Sequence, residues 1–213
     1  MESPTQNGKP VKRPARPAMR RLRGFTFEGA RVSALDFGDL SVPLRAGDAV
    51  VLAVPPVVAA SLIPDLVVPT EFRAIVNAHF RVTPPAALVP MTGIVNGTAE
   101  WLFAFPDRLS VTISAGDRLL DTPREELAAS IWREVAEVAG IAEPLPAWQI
   151  VRERRATFAA LPAEDAKRPG VFTRWNNLML AGDWTATGLP ATIEGSIRSG
   201  DRAGELVAIM AEP

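Results

Sequence analysis

Asp183 is the side chain best placed to do chemistry in this sequence. It follows the apolar run Met179-Leu180-Ala181 and Gly182, and it precedes a loop carrying Thr185, Thr187, Gly188 and Pro190. A carboxylate at that point repels phosphate and accepts hydrogen bonds from hydroxyl groups. The helix that follows begins with free backbone N–H groups, which favour an anionic or electron-rich ligand. Other chemistries are closed to the chain. Its 213 residues contain no cysteine, which excludes disulfides, thiolate catalysis and cysteine-ligated zinc or iron–sulfur centres. They contain no tyrosine and a single histidine, His79, so no multi-histidine metal site is expected.

The element that must position Asp183 is a strand, a turn and a helix. Leu178–Ala181 has the continuous apolar character of a buried parallel strand. Pro190 stands where a first helical turn would begin. From Ile193 to Val207 the composition is helical: Ile193, Ile197 and Leu206 can share one face, with Glu194, Arg198, Asp201, Arg202 and Glu205 polar. A plain βα unit with a glycine-bearing turn would carry the same short motif.

The longer string separates the two readings. Leu180-Ala181-Gly182-Asp183-Trp184, Thr187-Gly188-Leu189-Pro190-Ala191-Thr192-Ile193-Glu194-Gly195 and Ile197-Arg198-Ser199-Gly200 together resemble the C-terminal flavin-binding signature of the FAD-dependent amine oxidase and carotenoid desaturase superfamily. The resemblance is closest to the squalene-associated branch, the hydroxysqualene dehydroxylases. It implies FAD as cofactor, with Gly182, Asp183 and Trp184 at its ribityl and phosphate region. It also implies that Leu189, Pro190, Ala191, Thr192 and Ile193 lie at the flavin ring. In that branch a hydroxyl is removed from hydroxysqualene to give squalene, by ionisation to an allylic cation and hydride delivery from reduced FAD.

Asp48–Val54 reads as a continuous apolar strand ended by Pro55-Pro56, and the string DAVVLAVPP also resembles a strand of the superfamily's FAD domain. Val57–Ile63 fits a short helix, and Phe25–Phe27 and Val32–Phe37 fit a hairpin turning at Glu28-Gly29. Between these pieces the pattern is a substrate domain of sheet and helix. Ala74–Val82 alternates, with Ile75, Asn77, His79 and Arg81 on one face. Trp101–Phe105 and Leu109–Ser114 flank Pro106-Asp107 as a hairpin, and Trp148–Phe158 returns as a strand whose run Arg152–Arg155 is expected to be solvated. Thr122-Pro123-Arg124-Glu125 reads as a capping box opening a helix over Leu127, Ile131, Val135 and Val138, which Gly140 ends. His79 is expected to be structural. An isoprenoid substrate needs apolar walls, for which Phe80, Trp101, Phe103 and Trp175, with Phe72 and Leu88, are the candidates; each would serve equally as core.

The fold expected is mixed α/β: the C-terminal portion of a two-domain flavoprotein, a Rossmann-like FAD-domain remnant with an inserted antiparallel-sheet substrate domain. Its divisions are a basic, proline-rich leader over residues 1–21, FAD-domain strands over 22–66, the substrate domain over 67–155 and the C-terminal signature over 156–213. The leader, with seven Lys and Arg in its first 23 residues, is expected to be disordered and solvated. Attraction to an anionic surface is the alternative. Net charge −1 and 47% hydrophobic content give no sign of a nucleic-acid partner. No apolar run reaches the roughly 18–20 residues of a membrane span. The expected location is cytoplasmic, with room for peripheral contact at the inner membrane.

One feature of the superfamily is missing. No strand–G-x-G-x-x-G–helix fingerprint for the FAD pyrophosphate stands anywhere in the sequence, although the resemblance runs from about Leu22 to Val207. The expected partner is therefore an N-terminal FAD-binding half from the same branch, and the chain is read as a fragment or subunit. Two other functions stay open: a carotenoid desaturase-like flavoenzyme, and a remnant or binding partner without flavin. Amine oxidation is disfavoured, since amine-oxidising relatives place an aromatic where Thr192 stands.

Overall fold

A computed structural model describes residues 20–142 and 144–210, together with the backbone of residues 5–6 and 9–10. Strands β1 (Thr5–Gln6) and β2 (Lys9–Pro10) form a two-residue antiparallel pair. The expectation of a disordered leader otherwise lies outside the described residues until Arg20. There the chain is already tied down: the Arg20 guanidinium pairs with Asp39 at 2.7 Å and the Arg23 N–H donates to the Asp36 carbonyl at 2.7 Å.

The first sheet is a three-stranded antiparallel meander of β3 (Gly24–Glu28), β4 (Arg31–Asp36) and β5 (Ser41–Pro43). The β3–β4 hairpin is the expected one, with Gly29 at φ +56° in its turn. Next, β6 (Val50–Leu52) pairs in parallel with β12 (Leu178–Leu180), in the register Leu178 to Val50, Met179 to Val51 and Leu180 to Leu52. The apolar stretch Asp48–Val54 thus yields only a three-residue strand, which among the described residues has one neighbour to pair with. Helix α1 (Pro56–Leu62) follows, started by the fixed φ of its prolines.

The middle of the chain builds a five-stranded antiparallel sheet in the order β11-β7-β10-β9-β8. Its strands are β7 (Phe72–Phe80), β8 (Met91–Gly93), β9 (Trp101–Phe105), β10 (Arg108–Ile113) and β11 (Trp148–Phe158). Alternation puts Val76, Ala78 and Phe80 on the face covered by α2 (Arg124–Ala139), where Leu127, Ile131 and Val135 complete a core. Gly140 closes α2 in the left-handed region at φ +66°.

The capping box does not form. Pro123 is the N-cap of α2 and no side chain caps the helix. The Thr122 carbonyl instead accepts a hydrogen bond from the Arg152 guanidinium, and Arg124 donates to the Ile150 carbonyl at 2.9 Å. So the start of α2 is held by arginines reaching between helix and sheet. Arg152 leaves the expected solvated run for this role, while Glu153, Arg154 and Arg155 remain exposed.

A second core joins the chain's two ends: Val32, Leu52, Ile63, Phe158, Trp175, Leu178, Leu180 and Trp184. Asn177, fully buried, links them through polar contacts. Its Oδ1 accepts the Val32 N–H at 2.8 Å, and its Nδ2 donates to the Val32 and Asp48 carbonyls at 3.0 and 3.3 Å. A buried amide with every contact made to backbone fixes the register between the meander and β12.

The last helix, α4 (Ile193–Met210), does not bury the face that its isoleucines mark. Gly195, Ser199 and Ala203 are its buried residues, whereas Ile193 and Ile197 are 82% and 54% exposed. The reason is close approach. A Cβ on Gly195 would sit 3.1 Å from the Pro190 carbonyl oxygen, and Ser199 Oγ is itself a partner of the Gly182 N–H at 2.7 Å. Only small side chains fit between α4 and β12.

Candidate functional site

The turn after β12 is built around Gly182. Its φ of +145° belongs to a region that only glycine occupies readily, and a Cβ there would lie 2.5 Å from Trp184 Nε1. Trp184 is 2% exposed and its Nε1–H donates to the Val54 carbonyl at 2.9 Å, pinning the turn to the chain just past β6. The Gly182 carbonyl accepts from the Thr185 N–H at 3.1 Å and the Thr185 hydroxyl at 2.8 Å. The turn is thus held from both sides by buried groups.

Between Gly182 and Trp184, Asp183 turns toward a cavity of about 730 Å³ whose walls include Val54, Phe72, Arg155, Phe158, Ser196 and Gly200. Burial pushes its carboxyl above the usual carboxylate value; its own N–H, the Trp184 N–H and the Arg168 guanidinium oppose that shift. A half-desolvated carboxylate beside a cavity is an acceptor for ligand hydroxyls.

A neighbouring cavity of about 910 Å³ is lined by Phe158, Leu161, Arg168, Leu189, Pro190 and Ala191, among others. Thr157 and Phe158, at the end of β11, border both cavities. The sequence-derived cofactor residues are therefore divided. Gly182, Asp183 and Trp184 line the first cavity, and Leu189, Pro190 and Ala191 the second. Thr192 and Ile193 line neither. Thr192 caps α4, its Oγ1 accepting the Gly195 N–H at 3.1 Å.

Of the substrate-wall candidates, Phe72 alone borders the first cavity. Phe80 is fully buried under α2 with its ring 5.1 Å from that of Trp132, and Trp175 is buried in the second core, stacked on Phe27 at 4.1 Å. Leu88 packs against the α2 core. Trp101 and Phe103 lie on the sheet face away from α2, opposite Thr112 and Ser110. That face also holds His79, whose Nδ1 is 2.9 Å from Ser110 Oγ. Burial first, and Arg108 second, hold the His79 pKa below its usual value. His79 stands seven residues along β7 from Phe72, roughly 23 Å at strand rise. That distance keeps it with the structural residues.

Two residues that sequence reasoning passed over hold the site together. The Arg168 side chain is 6% exposed, and its Nη2 donates to the Asp183 and Thr185 carbonyls at 3.1 and 2.5 Å and to Thr187 Oγ1 at 3.1 Å. Its Nη1 pairs with Asp165 at 3.0 Å. Glu164, 4% exposed, accepts the Thr70 and Glu71 N–H groups at 2.7 and 3.2 Å and the Lys167 ammonium at 2.6 Å. The Lys167 hydrogen bond first, then the Thr70 N–H, hold its pKa down to about 2. Both sit on or beside α3 (Pro162–Asp165), a single turn with no periodic signal.

Most of the chain is similar to known proteins. A family model for flavin containing amine oxidoreductase matches residues 19–208. A hydroxysqualene dehydroxylase of Rhodopseudomonas palustris is 65% identical over 187 residues, which are 87% of this chain and 45% of that protein. The hydroxysqualene dehydroxylase of Sinorhizobium fredii is 61% identical over 186 residues, with the same coverage of 87% and 45%. The solved structure of an oxidoreductase from Methanosarcina mazei superposes with a TM-score of 0.60 at 12% identity, covering 90% of this chain and 49% of that one. The chain thus spans about half the length of the relatives it matches.

Proposed function

The chain belongs to the flavin-containing amine oxidoreductase family, and from that premise we propose that it is the C-terminal part of an FAD-dependent enzyme that converts hydroxysqualene to squalene. The observation that carries the reading is the β12–α4 turn, in which Asp183 borders a cavity between β6, β11 and α4. Relatives named for that reaction share 61–65% of the matched residues.

The residues present fit one end of FAD. Asp183 would accept hydroxyl hydrogen bonds from the ribityl chain, and Arg168 holds the carbonyls of the turn so that the carboxylate stays at the cavity. Leu189, Pro190 and Ala191 offer an apolar wall for the ring. When bound, the flavin supplies hydride chemistry, while the protein supplies position and electrostatics. Trp184, Phe158 and Phe72 give the space beside Asp183 an apolar wall.

For the diphosphate, the described residues offer no glycine-rich strand–turn–helix. We therefore assign that half of the site to an N-terminal FAD-binding segment of the same branch, in the same or a separate polypeptide. The isoprenoid substrate, and a cytoplasmic location with peripheral contact at the inner membrane, belong to the same proposal. A substrate of that chemistry partitions into lipid, and the basic leader would meet an anionic surface.

The test is flavin retention. Expressed alone, the chain should purify colourless, tend to aggregate, and show no FAD-dependent rise in melting temperature. Co-expressed with the N-terminal segment of the Rhodopseudomonas relative, it should become soluble and yellow and turn over hydroxysqualene. A lone chain that purifies monodisperse with one flavin per chain would refute the divided site. A yellow, complemented complex inactive on hydroxysqualene but active on a carotenoid precursor would favour the desaturase.

A further inference from the structure

Thr157 and Phe158 are the residues that the two cavities have in common, and Thr157 is the polar one. The way β11 ends puts them there. Its register against β7 is regular as far as Glu153 opposite Ile75 and resumes at Thr157 opposite Arg73, so four steps along β11 answer two along β7. A bulge of this kind bends the strand and re-aims the side chains beyond it.

Past the bulge the strand end is fastened. Phe158 pairs with Phe72, is 7% exposed, and carries the Arg168 guanidinium 5.1 Å over its ring. The Ala159 N–H donates to the Glu71 carbonyl at 2.8 Å. Thr157 is β-branched, which restricts χ1, so its hydroxyl has few directions open to it.

The threonines of the β12–α4 turn have their hydroxyls committed. Thr185 Oγ1 donates to the Gly182 carbonyl at 2.8 Å, and Thr187 Oγ1 accepts from Arg168 at 3.1 Å and from the Leu189 N–H at 3.2 Å. Thr192 Oγ1 accepts the Gly195 N–H at 3.1 Å. Thr157 differs. Among the described residues its hydroxyl has no hydrogen-bond partner, although the residue is half-buried. The fold gains nothing from this hydroxyl that a valine would not supply. Water can satisfy it while the cavities are open. Whatever fills them must replace that water or leave a polar group bare, which is costly.

We propose that the Thr157 hydroxyl donates a hydrogen bond to a ligand lying across both cavities, at the boundary between the part held at Asp183 and the part against Leu189, Pro190 and Ala191. This contact rests on the proposed flavin site. For FAD that boundary is where the hydroxyl-bearing ribityl chain gives way to the ring, whose nitrogen and carbonyl oxygen atoms accept hydrogen bonds. Asp183 alone does not fix how far the cofactor reaches into the second cavity, since a carboxylate accepts from any of several chain hydroxyls. A second, stiffly held donor between the two cavities sets that position.

The test uses the yellow complex with the N-terminal segment of the Rhodopseudomonas relative. Thr157→Val keeps the shape and removes the donor, and Thr157→Ser keeps the donor. In the valine variant the FAD dissociation constant should rise about two- to tenfold, and the visible flavin absorption bands should shift because a hydrogen bond to the ring is lost. The serine variant should show the wild-type bands. Recovery of the complex on co-purification should be equal in all three, since the hydroxyl has no partner in the fold. Unshifted bands in the valine variant, whatever its affinity, would overturn the contact. So would a lowered recovery of the complex, or a serine variant with the bands of the valine variant. Flavin absorbance separates this contact from the functional reading. A yellow complex indifferent to Thr157→Val sinks the contact alone, whereas a colourless wild-type complex sinks the flavin site and the contact with it.

Discussion

Replacing Gly182 by alanine should be the most damaging single-methyl change in the chain. The new Cβ would lie 2.5 Å from Trp184 Nε1 and 2.7 Å from its Cδ1, at a backbone φ of +145°. The backbone strain alone is about 1–3 kcal/mol. The indole cannot swing away freely, because it is 2% exposed and bonded to the Val54 carbonyl at 2.9 Å. Forcing it aside adds about 1–3 kcal/mol of overpacking, with the hydrogen bond, about 1 kcal/mol, also at risk. A total loss of roughly 2–6 kcal/mol is a large part of the roughly 5–15 kcal/mol that a domain possesses. Urea titration followed by tryptophan emission measures it, in the complemented complex and, where soluble, in the lone chain. The midpoint should fall sharply, and flavin should be lost below the transition because Asp183 moves with the turn. A G182A midpoint equal to wild type would show that the turn relaxes freely, and the account of a pinned indole would be wrong.

Further outcomes are expected at four residues. Asp183→Ala in a flavin-retaining complex should weaken FAD binding by about 1–3 kcal/mol; unchanged occupancy after dialysis would remove the carboxylate from the site. Because burial raises the Asp183 pKa, the hydroxyl acceptor is lost as pH falls through that raised value. Flavin release on acidification should therefore begin above the ordinary carboxylate range and vanish in the alanine variant. Glu164 titrates in the opposite sense. Its folded pKa, held down to about 2, lies below its unfolded value, so its stabilisation is present above about pH 4.5 and lost from there toward pH 2. The acid limb of a stability–pH curve should flatten in Glu164→Gln. Arg168→Lys cannot reproduce a fork that reaches two carbonyls, Thr187 and Asp165. It should cost about 2–3 kcal/mol in thermal denaturation, and a wild-type melting temperature would deny the strut. Thr192→Val should lose the α4 cap at about 0.5–2 kcal/mol, whereas Thr192→Ser should keep it.

How much of this was legible beforehand depended on whether the signal was local. The strand–turn–helix around Gly182 and Asp183 was legible because a strand end, a positive-φ turn and a helix start each need particular residues within a few positions. The hairpins at Glu28-Gly29 and Pro106-Asp107, and the α2 stripe ending at Gly140, follow from the same short-range rules. Mixed α/β character likewise followed from residues adjacent in sequence, whereas flavin chemistry was implied by the resemblance of the Leu180–Gly200 string to a family signature. Arg168, Glu164 and Asn177 could not be read that way. Their acceptors and donors lie at Asp183 and Thr185, at Thr70 and Glu71, and at Val32 and Asp48, positions that only the folded chain brings near.

The same distinction decides the faces. Periodicity placed Ile193 and Ile197 on one side of α4 but could not say that Gly195, Ser199 and Ala203 are the residues that meet β12. That choice came from how closely the helix must approach the Pro190 carbonyl and the Gly182 N–H, where a branched side chain would not fit. Phe80 and Trp175 carried the aromatic character that a substrate wall needs. The tertiary packing put one beneath α2 and the other on Phe27, because burial of large apolar surface is satisfied by any core within reach. Composition fixed which side chains were available for chemistry. The three-dimensional path of β6, β11 and β12 decided which of them border a common cavity.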